Sequence, residues 1–124
     1  MVELKGSQQE INWAKDIRLD MLSFLERVNT TVTEIPYCEE KIWETEEEFY
    51  EAKKQLNLLI EFGGNISNAS FFIIKRDLLI HALVEKSGYT KALKLVKCYF
   101  AFFTSIDITQ LDLSFFGFSE YHCG

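Results

Sequence analysis

The chain has 124 residues, of which 48% are hydrophobic and 26% charged, with a formal net charge of −6 and a single proline. This fits one compact domain over residues 1–124 and excludes a disordered, collagen-like or low-complexity chain. A domain of this size buries roughly two-thirds of the surface its unfolded chain exposes, so a core needs neither metal nor disulfides.

Cys38, Cys98 and Cys123 are an odd, irregularly spaced set that makes no disulfide framework and fits a reducing cytoplasm. The segment 1–6 has neither the basic start nor the apolar run of a signal peptide, so the Asn-x-Ser/Thr triplets at Asn29, Asn65 and Asn68 read as chance. The longest apolar runs, 71–74, 78–80 and 98–103, are far short of a membrane span. A soluble cytoplasmic protein is the expectation.

In chain order, Ser7-Gln8-Gln9-Glu10 has the form of a capping box and opens a first helix. Ile11, Ala14, Ile17, Met21, Phe24, Leu25 and Val28 follow at three- and four-residue steps, so the helix runs to Arg27 or Val28. The β-branched segment from Asn29 to Pro36 is expected to break it. Thr45-Glu46-Glu47-Glu48 repeats the box and starts a second helix with Phe49, Ala52, Leu56, Leu59 and Ile60 inward, stopped at Gly63-Gly64-Asn65. The run from Ala69 to Lys86, apolar on most of its circumference, predicts one central third helix ended by Ser87-Gly88. Thr90 caps a fourth, about Lys91 to Thr104, with Leu93, Val96, Phe100 and Phe103 inward. Residues 105–124 alternate apolar and polar without a second strand to pair, which suggests an extended arm over the core. The expected fold is mainly α, a compact four-helix domain with an extended C-terminal arm.

Charge is unevenly spread. Residues 38–51 hold Glu39, Glu40, Glu44, Glu46, Glu47, Glu48 and Glu51 against Lys41 alone, whereas bases outnumber acids over 52–104. The two stretches could pair internally, or present opposed patches to partners.

Two segments carry a resemblance. Gly6 to Arg18 resembles the G-S-x-x-Q-I-x-W-A-x-x-I-R opening of small helical proteins of bacteria, phages and mobile elements, and Ala69 to Asp77 resembles their A-x-W-W-I-D-x-R element. Here Glu10 replaces the usual Gln, Phe71-Phe72 the Trp pair, and Ile74 the Asp. The resemblance implies a small helical fold and a mobile-element origin. Within these segments Trp13, Ile17 and Phe72 read as packing residues and Arg18, Arg76 and Asp77 as structural charges, with Asp77 an available partner for Arg18.

No constellation of nucleophile, base and metal ligand has a diagnostic spacing. His81 sits on an apolar helix as a hydrogen-bonded core histidine, Cys38 and Cys98 read as small buried hydrophobes, and His122 with Cys123 lies in the last three residues. Neither a zinc site, a calcium loop nor a phosphate loop is spelled out. No enzyme activity, cofactor or metal is expected. The candidate partner-binding residues are Glu44, Glu47, Glu48 and Glu51, a row of carboxylates able to occupy the basic groove of a host protein. An accessory or inhibitory protein that blocks a host defence or nucleic-acid enzyme is the leading expectation. The alternative is a nucleic-acid-associated module using Lys91, Lys94 and Lys97, although a pI near 4.9 disfavours direct nucleic-acid binding.

Overall fold

The computed structural model describes residues 1–34 and 43–100, apart from the side chains of Cys98 and Phe100. These residues form α1 (Gln8–Glu34), α2 (Glu46–Gly64), α3 (Ala69–Ile74), a 3-10 turn (Arg76–Leu78), α4 (Leu79–Ser87) and α5 (Thr90–Phe100). The mainly helical fold is as expected, with five α-helices among the described residues rather than four. The expectations for Cys38, Phe103, His122, Cys123 and the arm from 105 fall outside the described residues, as do those for the side chains of Cys98 and Phe100.

The first capping box closes in both directions. Glu10 N donates to Ser7 Oγ at 3.2 Å, and Ser7 N donates to Glu10 Oε1 at 3.0 Å. The Ser7 N–H, and after it the Ser7 hydroxyl, hold the Glu10 carboxyl below its ordinary pKa. Helix α1 does not stop at Val28. Val32 is fully buried one turn on, and the hydroxyls of Thr30, Thr31 and Thr33 donate to the carbonyls of Glu26, Arg27 and Asn29. Burial of Val32 thus extends a helix that local propensity would have ended.

The expected single helix over 69–86 is divided. In a straight helix Phe72, position 76 and Leu79 or Ile80 would share one buried stripe, which would drive the Arg76 guanidinium into the core. Burial of an unpaired charge is costly. The chain instead leaves the helix at Lys75 and re-enters at Leu79, and Arg76 Nη1 donates to the carbonyl of Ile73 at 3.1 Å. Phe72, Leu79, Ile80, Leu83 and Val84 are buried, whereas Ile74 and Leu78 at the break are exposed rather than covered on all sides. Gly88 ends α4 with φ 84°, the left-handed cap that glycine adopts without a Cβ penalty.

Helix α2 is the hub: it packs on α1 and, most extensively, on α5, while α3 lies against α1. Phe49, Ala52, Leu56 and Leu59 are fully buried as expected, and Ile60 is half-buried. The inward face of α5 is rotated from the expected one: Ala92, Leu95, Val96 and Tyr99 are buried and Leu93 only partly so. Thr90 is the first residue of α5 rather than its cap, and Lys91 N donates to Gln55 Oε1 of α2 at 2.9 Å. No described helix is long and apolar enough to cross a membrane.

Candidate functional site

The N-terminal end of α2 is built by Thr45. Its hydroxyl accepts from Glu48 N at 3.1 Å, and Glu48 Oε2 reaches back to accept from Glu44 N at 3.2 Å, so the cap fixes the chain leading into the helix. The other carboxylate oxygen of Glu48 accepts from Lys94 Nζ of α5 at 3.1 Å. Lys94 Nζ also stands 4.6 Å from the ring centroid of the buried Trp43, which meets Phe49 edge-to-face at 5.9 Å. Glu48 is therefore tied to α5 at the half-buried edge of the fold, and the Lys94 hydrogen bond, followed by the Glu44 N–H, keeps its carboxyl below the ordinary pKa.

The other carboxylates at this end are differently placed. Glu44, Glu46, Glu47 and Glu51 are exposed, and no cation among the described residues forms an ion pair with them. Tyr50, in the same helix end, is 57% exposed, its ring edge-to-face with Phe49 at 5.4 Å. The result is a set of exposed carboxylates at the start of α2, anchored by the Glu48–Lys94 pair, with Tyr50 beside them on a surface that it shares with Lys53 and Lys54.

The three lysines of α5 do not form one uniform row. Lys94 is committed to Glu48 and Trp43, Lys91 is half-buried, and Lys97 is exposed on the side from which it acts on His81. His81 is half-buried on α4. Burial, then the Lys97 charge, lowers its pKa, so the imidazole is neutral at pH 7. Among the described residues no group of three or more His, Cys, Asp or Glu side chains is arranged to hold a metal ion.

The two segments that carry the resemblance meet in space. Lys5 and Asn68 form a parallel bridge, and a Cβ on Gly6, whose φ is 154°, would lie 3.3 Å from Ala69 Cβ. Arg76 lies over the Trp13 ring at 5.0 Å, and Gln9, Glu10, Trp13 and Ile73 line an adjoining cleft. Ile17 and Phe72 are buried packing residues, but Trp13 is 48% exposed. The suggested Arg18–Asp77 pair does not form. Arg18 Nη1 donates to the carbonyl of Val2 at 2.7 Å, while exposed Asp77 lies 4.0 Å from Arg76 Nε. Helix α3 and the 3-10 turn direct Asp77 outward, leaving the backbone of the N-terminal segment to satisfy the buried guanidinium.

No family model and no curated protein matches the sequence, and no solved structure matches the fold. Trp43 is the contributor that the sequence pattern did not single out. Its signal was an aromatic residue two positions before a capping threonine, where it can pack onto the first turn of the helix.

Proposed function

We propose that this chain acts without catalysis, as a small acidic binding protein of phage or mobile-element origin. In this reading it works in the bacterial cytoplasm, where the N-terminal end of α2 occupies the basic groove of a host defence or nucleic-acid enzyme. The supporting observation is that Glu44, Glu47 and Glu51, with Tyr50, stand exposed, the glutamates unpaired with any described cation, on a helix end fixed by Thr45, Glu48 and Lys94. Unpaired surface charge steers association with an oppositely charged groove, and a pre-organised exposed tyrosine is a favourable contact residue. Binding by a fixed surface also loses less entropy than binding by a flexible one.

The test is inhibition of a panel of purified bacterial nucleases, with competition by nucleic acid. The chain should inhibit at least one member, and nucleic acid should relieve that inhibition. Replacing Glu44, Glu47 and Glu51 with Gln should slow association without altering the circular dichroism, and added salt should slow the wild type more than the variant. Equal inhibition by the two proteins removes the acidic surface from the reading, and a panel left fully active overturns it.

A further inference from the structure

A second surface, remote from the α2 N-terminus, has features of its own. Helices α1 and α2 leave an open groove floored by Leu19, Leu22 and Ile60, with Glu26 on the α1 wall and Glu61 on the α2 wall. Leu19 is 56% exposed and Leu22 and Ile60 are half-buried, so apolar surface faces solvent along the groove. Glu26 and Glu61 are exposed, and no described cation forms an ion pair with either. Beside them Gly64 contributes backbone alone, and the exposed Met1 side chain completes the lining, its Cγ 3.6 Å from where a Gly64 Cβ would stand.

We infer that this groove receives an amphipathic basic helix of a partner protein, one aliphatic side chain entering between Leu19, Leu22 and Ile60 while flanking Lys or Arg residues reach Glu26 and Glu61. The charge arrangement selects this occupant. An apolar floor with an acid on each wall favours an aliphatic anchor flanked by cations, and it repels an acidic helix or a nucleic-acid phosphate backbone. A helix suits the site because its side chains at three- and four-residue spacing share one face, which places anchor and cations together. A second copy of this chain is a poorer match. Its lysine-bearing helix α5 turns Lys94 to Glu48 and buries Ala92, Leu95, Val96 and Tyr99. This docking surface is separate from the acidic end of α2, and either can fail without the other.

The test uses the full chain and a synthetic helical peptide with Leu on one face and Lys on the other, titrated by heteronuclear NMR. Amide shifts should concentrate at Leu19, Leu22, Ile60, Glu61 and Asn65. Leu19→Ser, and separately the double variant Glu26→Lys with Glu61→Lys, should each weaken binding by about tenfold or more, since loss of a central anchor or of paired charge commonly costs that much. Both changes lie at exposed positions, and unchanged spectra elsewhere will show that the fold persists. A peptide with Glu in place of Lys should not bind, and the Gln triple variant at Glu44, Glu47 and Glu51 should bind as wild type. Shifts spread over all acidic surfaces, shifts centred on the α2 N-terminus, or unaltered affinity in Leu19→Ser would each overturn the inference.

Discussion

Lys94 Nζ lies 3.1 Å from Glu48 Oε1, joining α5 to the first turn of α2 across 46 residues of sequence. The contact joins two features the sequence shows only separately, a lysine-rich helix and an acidic cap. Glu48→Gln and Lys94→Met should each lower the thermal midpoint, and the double variant should lose less than the two losses combined, because both remove the same contact. The dependence on pH has a definite sign. The carboxyl of Glu48 titrates below its unfolded value of about 4.3, so its contribution is complete above that pH and is lost as pH falls through the folded value. The midpoint gap between wild type and Glu48→Gln should therefore close as the medium is acidified.

A second acid-sensitive step occurs at higher pH. Burial and Lys97 lower the pKa of His81, so below about 6.5 the unfolded chain binds a proton that the folded chain resists. The stability associated with a neutral His81 is intact above that value and is lost as pH falls from it towards the folded pKa. Urea midpoints at about pH 7.5 and about pH 5.5 should differ more in the wild type than in His81→Gln, which has no proton to take up. An equal difference in the two proteins would place the wild-type slope elsewhere.

Local chemistry was legible where donor and acceptor are close in sequence. Ser7 with Glu10 and Thr45 with Glu48 are three residues apart; the first pair closes a reciprocal box, and in the second the Thr45 hydroxyl caps Glu48 N while the Glu48 carboxylate accepts from Glu44 N, one residue before the cap. Legibility failed where a distant partner decided the outcome. The threonines after Asn29 stay helical because Val32 finds the core, and the helix from Ala69 breaks where Arg76 would have entered it. The carboxylate cluster was visible as composition, but the division between Glu48, held by Lys94, and Glu44, Glu47 and Glu51, left at the surface, required the packing of α5 on α2.

Adjacent glycines at the end of α2 should respond in opposite ways to the same substitution. A Cβ on Gly63 would lie 2.8 Å from Met21 Cε and 3.3 Å from Leu83 Cδ2, whereas on Gly64 its nearest neighbour is Met1 Cγ at 3.6 Å. Gly64→Ala should be neutral or stabilising by up to about 1 kcal/mol, the gain expected from helix propensity and a less flexible unfolded chain. Gly63→Ala should cost roughly 1–3 kcal/mol through overpacking. Leu83 is fully buried, so Leu83→Ala should itself cost about 2–5 kcal/mol. In that background Gly63→Ala should do less harm, because the shortened side chain gives Met21 room to move. Chemical denaturation of the four variants tests the set, and equal losses at Gly63 and Gly64 would contradict the close approach to Met21.

Arg18 offers a test that separates local order from global stability. It is 7% exposed, and no carboxylate among the described residues pairs with it; burial lowers its pKa, yet a guanidinium remains charged. Its donor Nη1 holds the carbonyl of Val2, and the same segment is bonded from Val2 N to Gly64 O, from Lys5 N to Ser67 O and from Ala69 N to Lys5 O. Arg18→Met keeps most of the aliphatic stem, removes the cost of burying a charge and leaves the Val2 carbonyl without its donor. These effects oppose one another in global stability, which should change little, but all of the lost bonding falls on the N-terminal segment. Amide exchange at Lys5 and Ala69 should accelerate while Leu56 and Leu95, in the α2–α5 core, remain as protected as in the wild type. Unchanged exchange at Lys5 and Ala69 would mean that the backbone bridge, and not Arg18, holds the segment against α3.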